Sequence, residues 1–206
     1  MTFEGRDEIG LLVDTPMDTR ERPSDDSSSA LIVALDVPTY GEAASIVQEL
    51  RGAVNFYKIG LELVFDGGLR LTRELLDTGN QVFLDMKLLD IGNTVEKAVK
   101  NIARLGVDYL TVHALDRKTL DAAMAGRGSS KLKLLGVTVL TNLTEFDLAE
   151  QGINESPSNL AARRAKLAFD AGLDGVIASG FEARAIREIT DENFIIKTPG
   201  NEASSC

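Results

Sequence analysis

From Ala30 onward, short apolar runs rich in β-branched residues alternate with longer amphipathic segments. Seven of the apolar runs have the length and composition of buried strands. They are ALIVALD (30–36), VNFYKI (54–59), QVFLDMK (81–87), VDYLTVH (107–113), LKLLGVTVLT (132–141), DGVIAS (174–179) and NFIIK (193–197). Because strands that are apolar on both faces are typical of parallel sheets between helical layers, this pattern predicts an α/β fold.

Four of the intervening segments carry the signals of helix termini or of one apolar helix face. They are the segments that begin with the capping-box pairs Thr39/Glu42 and Asn93/Glu96, the segment 160–171 before Gly172, and the segment after Gly180. An alternation of strands and helices fits two architectures, a doubly wound open sheet and a (β/α)8 barrel.

The positions of the charged residues favour the barrel. No G-x-G-x-x-G sequence follows the first strand, which weakens the case for a dinucleotide-binding open sheet. Several ionisable residues instead stand at the C-terminal ends of strands, the rim at which barrel enzymes have their active sites. They are Asp36, Lys58, Asp85, Lys87 and His113. We therefore expect an α/β protein built as a (β/α)8 TIM barrel.

The strand count is one short of a closed barrel, which needs eight strands. The chain ends a few residues after the seventh run, with the sequence NEASSC. Either the last strand–helix unit is missing or the count is incomplete, and we expect a barrel that is truncated at its C-terminus after the seventh strand. The barrel domain would span residues 30–200, between a flexible acidic tail of residues 1–29 and a divergent tail of residues 201–206.

Composition excludes several classes of function. The chain has 206 residues and a formal net charge of −10, which argues against binding to nucleic acid or to an anionic membrane surface. One histidine and one cysteine, Cys206, disfavour a zinc site and leave no internal disulfide. Because the sequence has neither an apolar run of roughly 20 residues nor a signal-peptide pattern, we expect a cytoplasmic protein.

The stretch FLDMKLLDIGNTV, residues 83–95, places two carboxylates and an ammonium group at the end of an apolar run. Because side chains alternate along a strand, Asp85 and Lys87 are expected on the same side. The same alternation places Lys58 on the inner side of the preceding strand, and Asp90 follows in the turn before the next helix. A plain salt-bridge ring is one explanation, since charges about 4 Å apart attract by roughly 4 kcal/mol at an effective dielectric constant near 20.

At least three charged groups converge at this rim, which favours a functional cluster over a structural ion pair. In an alternating array of lysine and aspartate, the ammonium groups stay protonated and the carboxylates stay ionised. A fixed aspartate can destabilise a bound carboxylate, and a neighbouring lysine can protonate the carbanion that remains when carbon dioxide departs. Such an array permits decarboxylation without a metal or an organic cofactor.

The motif LDMKLLDIGNTV resembles the D-x-K-x-x-D-I-x-N-T signature on the third barrel strand of the orotidine 5′-phosphate decarboxylase family. Five other segments resemble the first, second, fifth, sixth and seventh strands of that family, in order. They are ALIVALDVP, FYKIGLEL, VTVLTNL, DGVIASGFEARAIRE and KTPG. The resemblance implies a barrel lyase that converts orotidine 5′-phosphate to UMP in pyrimidine biosynthesis, with no cofactor.

The resemblance also implies roles for individual residues. Lys87 corresponds to the proton donor to C6 of the pyrimidine, Asp85 to the carboxylate that crowds the substrate carboxylate, and Lys58 to the lysine that completes the charge network. Asp36 corresponds to a residue that binds the ribose, and Thr141 to a residue near the pyrimidine ring.

Asp90 and Thr94 correspond to residues that reach into the site of the partner subunit, so the resemblance implies a homodimer. Two overlapping sets of site residues follow from it. The expected catalytic residues are Lys87, Asp85, Asp90 and Lys58, and the expected substrate-binding residues are Asp36, Lys58, Asp85, Thr94 and Thr141.

The chain departs from the family pattern after KTPG. There the family continues with an arginine, a helix and an eighth strand that form the phosphate site, whereas this sequence reads NEASSC. No residue can be matched to the phosphate-binding arginine. We expect two unpaired sheet edges, and poor solubility or weak activity, which a thermal melt and a turnover assay would test.

Two alternatives remain open. The D-x-K-x-x-D strand also resembles that of sister enzymes, metal-dependent decarboxylases and synthases of sugar phosphates, although the continuation DIGNTV favours the pyrimidine enzyme. A chelator would abolish the activity of those sister enzymes. Alternatively, the chain is a non-catalytic barrel without a phosphate site, which titration with a transition-state-like nucleotide would test.

Overall fold

The computed structural model of the protein describes residues 11–14 and 31–199. The strands in these ranges form a closed barrel in chain order. They are β1 (Leu11–Asp14), β2 (Leu31–Ala34), β3 (Phe56–Gly60), β4 (Gln81–Leu88), β5 (Tyr109–His113), β6 (Lys133–Val137), β7 (Gly175–Ile177) and β8 (Ile195–Pro199). Each pair of neighbours from β2 to β8 is parallel. The predicted α/β barrel of seven parallel strands is confirmed.

Helices follow the parallel strands and cover the outside of the sheet. They are α1 (Tyr40–Glu49), α2 (Leu61–Leu63), α3 (Leu69–Asp77), α4 (Gly92–Leu105), α5 (Arg117–Arg127), α6 (Glu145–Glu150), α7 (Pro157–Asp170) and α8 (Ala183–Glu188), with a π-helical turn at Val64–Gly68 between α2 and α3. Within the described ranges, no helix has the length and apolar character needed to cross a membrane.

Strand β1 fills the position between β8 and β2 and runs antiparallel to both. Val13 is the register partner of Leu31 on one side and of Thr198 on the other. The expectation of two unpaired sheet edges is therefore wrong, and the four residues of β1 form a strand within what the sequence predicts as a flexible tail. The physical reason is that a sheet edge presents a row of unpaired amide and carbonyl groups, which the backbone of Leu11–Asp14 can satisfy.

The other residues of the two predicted tails, 1–10, 15–29 and 201–206, lie outside the described part of the chain, as do the terminal residues 30 and 200 of the predicted barrel domain. The boundaries of the three proposed segments therefore stay predictions.

Of the two capping boxes predicted from the sequence, one marks the start of a helix and the other does not. Thr39 caps α1 by accepting a hydrogen bond from the Glu42 amide at 3.2 Å, as the capping-box spacing predicts. The predicted box of Asn93 and Glu96 is wrong, because α4 begins at Gly92 and Asn93 already lies inside its first turn. The helix begins two residues earlier than predicted, with Ile91 at the N-cap, so the Asn93 side chain is beyond the position from which it could cap.

The barrel interior is filled by an apolar layer at the amino-terminal half of the strands. Its members are Ile32, Phe56, Phe83, Tyr109 and Leu135. The Tyr109 ring is tilted against Phe56 at a centroid distance of 5.2 Å and stands edge-on to Phe83 at 6.0 Å. Because strand side chains alternate, the residues two positions further along β3, β4 and β5 also face inward, and they form the floor of the candidate site. These residues are Lys58, Asp85 and Thr111.

Candidate active site

A continuous row of acidic and basic side chains crosses the rim of the barrel from β2 to β4. The Lys58 ammonium lies 2.8 Å from Oδ1 of Asp36 and 3.7 Å from Oδ2 of Asp85. The Lys87 ammonium lies 2.7 Å from the same Oδ2 of Asp85. The side chain of Lys58 is 10% exposed and that of Lys87 is 33% exposed, so Lys87 is the ammonium group of this row that faces the open mouth.

Strand β4 leaves regular strand geometry where it carries these charges. Leu84 pairs with Leu110 and Leu88 pairs with Val112, so four positions of β4 advance against two of β5. Lys87 lies in this bulge with a φ of 47°, and it is the one non-glycine residue of the described chain with a positive φ. A left-handed backbone costs an L-residue roughly 1–2 kcal/mol, so the surrounding contacts must hold Lys87 in place.

Thr111 on β5 forms hydrogen bonds with both Asp85 and Lys87 of β4. Its buried hydroxyl donates to Oδ1 of Asp85 at 2.8 Å and accepts the backbone amide of Lys87, also at 2.8 Å. Thr111 lies outside the motifs that mark the other residues of the site. The signal that could have found it is the alternation along β5, which puts Thr111 on the inner side between Tyr109 and His113.

The environment of Asp85 favours its charged form. Burial alone raises the pKa of this carboxyl group, but the ammonium groups of Lys87 and Lys58 act in the opposite direction. Hydrogen bonds from Lys87 and Thr111 add to their effect, and the net result is a pKa below the ordinary value for aspartate. Asp85 is therefore a fixed negative charge at neutral pH.

His113, at the end of β5, is half-buried beside this row. Burial lowers its pKa, and the positive charges of Lys87 and Arg164 lower it further, against an opposing effect of Asp85. The imidazole is therefore neutral at neutral pH. His113 therefore lies within electrostatic reach of both Lys87 and Arg164.

Three of the sequence-predicted site residues lie apart from the charge row. Asp90 is exposed in the turn after β4, and its Oδ1 accepts the Ile91 amide at 2.6 Å. Thr94 is exposed in the first turn of α4, and Thr141 is exposed in the turn beyond β6. Within the described part of the chain, no hydrogen bond or ion pair joins them to the row. The structure thus brings together Asp36, Lys58, Asp85 and Lys87, and leaves Asp90, Thr94 and Thr141 on the surrounding surface.

The donor set at the rim does not resemble a metal site. Across residues 31–199, no group of three or more histidine, cysteine, aspartate and glutamate side chains is arranged to hold a metal ion. Asp85, the most buried carboxylate of the row, is already in contact with two ammonium groups.

A comparison with known sequences assigns the fold to a family. The profile of the "Orotidine 5'-phosphate decarboxylase / HUMPS family" matches residues 29–205, which is most of the chain. The chain belongs to this family. The resemblance read from the sequence motifs is thereby confirmed, and in this family member the motif residues Asp85 and Lys87 lie on β4 at the centre of the charge row.

Solved structures agree with the family assignment. The chain is 37% identical to an uncharacterized conserved protein from Geobacillus kaustophilus, with a TM-score of 0.75 over 80% of each chain. It is 36% identical to an orotidine 5′-phosphate decarboxylase from Lactobacillus acidophilus, with a TM-score of 0.72 over 79% of this chain and 77% of that chain.

Proposed function

We propose that this family member is a cytoplasmic orotidine 5′-phosphate decarboxylase, which forms UMP and carbon dioxide without a metal or an organic cofactor. The observation that carries the proposal is the continuous row Asp36–Lys58–Asp85–Lys87, in which Lys87 faces the mouth. The similarity to a decarboxylase of this name from Lactobacillus acidophilus supports the choice of substrate. A site that pairs an ionised aspartate with an accessible ammonium suits the loss of a carboxylate followed by protonation.

The proposed reaction proceeds at C6 of the pyrimidine. The substrate carboxylate binds beside Asp85, and the repulsion between the two negative charges raises the energy of the bound ground state. The bond between C6 and the carboxylate carbon breaks, carbon dioxide leaves, and the electron pair stays on C6. Lys87 stabilises this carbanion and transfers a proton to it, which leaves a neutral amine that solvent reprotonates. Lys58 keeps Asp85 charged throughout the cycle.

The remaining assignments concern the rest of the nucleotide. Asp36 is 41% exposed and has a carboxylate that Lys58 holds in position, which suits a hydrogen bond to a ribose hydroxyl. We assign Thr141, in the turn after β6, to the edge of the pyrimidine ring. Both assignments rest on the family motif, and the exposure of the two residues is compatible with contact to a ligand at the mouth.

We further propose that the enzyme is a homodimer in which Asp90 and Thr94 reach the site of the partner subunit. Support comes from a group of exposed apolar side chains that follow β3 and β4 on the same rim. They are Leu61, Phe65, Leu89 and Ile91, with exposed fractions of 51%, 87%, 50% and 73%. Scattered apolar side chains need no explanation, but a group beside two residues assigned to a second subunit fits a subunit interface.

Turnover of orotidine 5′-phosphate tests the proposed activity. We expect release of carbon dioxide and UMP from the full chain, at a rate that is unchanged by a chelator such as EDTA. Activity on sugar phosphates that EDTA abolishes would instead identify the chain as a sister enzyme. Binding of an anionic pyrimidine nucleotide without any turnover would identify a non-catalytic barrel.

Mixing of inactive variants tests whether each active site contains residues of both subunits. If Asp90 serves the partner, a heterodimer of Lys87→Ala and Asp90→Ala contains one intact site, so equal mixing restores about one quarter of the sites. Mixing Lys87→Ala with Asp85→Ala is the control, because both residues serve their own subunit and no intact site can form. Restoration that is equal in the two mixtures, or absent from the first, would contradict the shared site.

A further inference from the structure

The loop that carries Asp36 is bound to the segment that follows β3. Asp36 lies two residues beyond the end of β2, and helix α1 begins at Tyr40. The Tyr40 amide donates to Oδ2 of Asp66 at 2.8 Å, and Asp66 lies in the π-helical turn after α2. The first amide groups of a helix have no partner within the helix, and a carboxylate beside them also interacts favourably with the helix dipole. Asp66 thus binds the start of α1 from a different element.

The side chain of Tyr40 is attached to the same segment. Its hydroxyl donates to Oε2 of Glu74 on α3 at 2.6 Å, and Cζ of Arg70 lies 4.5 Å from the centre of its ring. Gly67 packs closely against it, because a Cβ atom at position 67 would lie 3.3 Å from Cβ of Tyr40. The φ of Gly67 is 92°, a value that favours glycine. Tyr40 is therefore bound to the π-helical turn and to α3 through both its backbone and its ring.

The space available to the Asp36 carboxylate is set by residues of β3. Lys58 donates to both carboxylate oxygens, at 2.8 and 2.9 Å. A Cβ atom at Gly60 would lie 3.1 Å from Oδ1 of Asp36, so the absence of a side chain there makes room for this carboxylate. Gly60 has a φ of −94°, which other residues adopt without strain, so space rather than backbone freedom is what glycine provides at this position.

The loop between these two attachments is short. Three residues separate Asp36 from Tyr40, and one of them is Pro38, whose ring restricts φ. A displacement of Tyr40 is therefore transmitted to Asp36, because the loop has little freedom to absorb it. Hydrogen bonds weaken steeply with distance and angle, so a displaced carboxylate binds its ligand less well.

We propose that Asp66 is a positioning residue for Asp36: by holding the start of α1, it determines how well the Asp36 carboxylate binds the ribose hydroxyls of the nucleotide. The role of Asp36 as the ribose ligand rests on the proposed function. Asp66 acts through the Tyr40 amide and the loop between Tyr40 and Asp36, and it takes no part in the bond-breaking step.

The test compares the binding of UMP and 2′,3′-dideoxy-UMP, which lacks both ribose hydroxyls, using calorimetry on the full chain. We expect the wild-type protein to prefer UMP by about 10- to 100-fold, the effect of hydrogen bonds to a charged group. Asp66→Ala removes the acceptor of the Tyr40 amide and should reduce this preference by about 5-fold, as the loss of a helix cap does. Asp66→Asn keeps an acceptor oxygen and should retain most of the preference.

Asp121→Ala is the matched control. It also removes an exposed carboxylate with a single partner, in this case Arg117 on the same helix α5, and should leave the preference for UMP unchanged. Asp66 is exposed, so its replacement by alanine should not prevent folding.

A double-mutant cycle separates positioning from a general effect on the fold. Asp36→Ala should abolish the preference for UMP, and addition of Asp66→Ala should then leave the ratio of the two affinities unchanged, because Asp66 acts through Asp36. A general loss of packing would instead lower both affinities and leave their ratio at the wild-type value. In turnover of orotidine 5′-phosphate, Asp66→Ala should raise KM more than it lowers kcat.

Gly60→Ala tests the position of the carboxylate without removing a hydrogen bond. The added methyl group should displace the Asp36 carboxylate and reduce the preference for UMP. A wild-type protein that does not prefer UMP to its dideoxy analogue would overturn the inference. The wild-type preference in Asp66→Ala or in Gly60→Ala, or a further loss when Asp66→Ala is added to Asp36→Ala, would overturn it as well.

The two proposals fail separately. A preference for UMP that depends on Asp66, in a protein that does not decarboxylate orotidine 5′-phosphate, would reject the proposed activity and keep this inference. Decarboxylation by a protein whose preference for UMP is insensitive to Asp66→Ala would reject this inference and keep the proposed function.

Discussion

The Lys87 ammonium lies 2.7 Å from Oδ2 of Asp85, two positions earlier on the same strand. In a regular strand these two side chains would stand side by side, separated by two residue rises of about 3.3 Å each. The bulge in β4 and the positive φ of Lys87 accompany the short contact. The strand thus departs from regular geometry at the two residues to which we assign the chemistry, which is where strained backbone is commonly found in enzymes.

Replacement of Lys87 tests its role as proton donor. Lys87→Met keeps the length of the side chain and removes the transferable proton, so we expect kcat to fall by about 10²- to 10⁴-fold, the contribution typical of a general acid. Lys166→Met, on the exposed surface of α7 where Lys166 pairs with Asp170, is the control and should leave kcat unchanged. Steady-state turnover measures both, and a Lys87→Met enzyme with normal kcat would remove Lys87 from the mechanism.

Replacement of Thr111 tests whether this residue holds Asp85 and Lys87 in position. Thr111→Val keeps the shape of the side chain but leaves the Lys87 amide and Oδ1 of Asp85 without their shared hydroxyl partner. Loss of a partner to a buried polar group costs about 1–3 kcal/mol, and we expect that decrease in the free energy of unfolding together with a lower kcat. Urea unfolding and turnover measure the two effects. Thr111→Ser restores the hydroxyl and should recover most of both, so a serine variant as impaired as the valine variant would count against this role.

The pH dependence of stability should report on His113. Its pKa is lowered in the folded protein, so below the ordinary value of 6.5 the unfolded chain binds more protons than the folded chain. The free energy of unfolding is therefore highest above pH 6.5 and decreases as the pH falls towards the folded pKa. In His113→Gln, thermal melts between pH 7 and pH 5 should show a smaller decrease in Tm. An unchanged pH profile in this variant would mean that His113 does not titrate in this window.

Strand β1 should contribute to stability through its backbone. It has a partner strand on each side, so the amide of Val13 faces a neighbouring strand, and proline at this position removes that donor. We expect Val13→Pro to lower Tm by several degrees and to promote self-association through the exposed edges of β2 and β8. Val13→Thr keeps the amide and should behave as wild type. Thermal melts and size-exclusion chromatography measure both properties, and identical behaviour of the two variants would show that β1 does not close the barrel in solution.

Local patterns were sufficient for much of the fold. The seven parallel strands lie within or next to the predicted apolar runs, because a strand that is buried on both faces consists almost entirely of apolar residues. Thr39 was predictable as a helix cap because the residues that form the cap are three positions apart. The inward direction of Lys58 and Asp85 followed from alternation relative to Phe56 and Phe83, which is likewise a property of neighbouring residues.

Other features depend on contacts between distant segments of the chain, and only the tertiary structure shows them. The closure of the barrel joins Val13 to Thr198 across almost the whole chain, and the antiparallel direction of β1 has no signature within its four residues. The role of Thr111 depends on partners in another strand, and the bulge at Lys87 depends on how β4 aligns with β5. The sequence by itself determined the class of fold and the row of charges, because alternation and burial are local properties of a strand. The closure of the barrel by β1 and the hydrogen bonds of Thr111 to Asp85 and Lys87 arise from contacts between segments far apart in the chain, which no local pattern records.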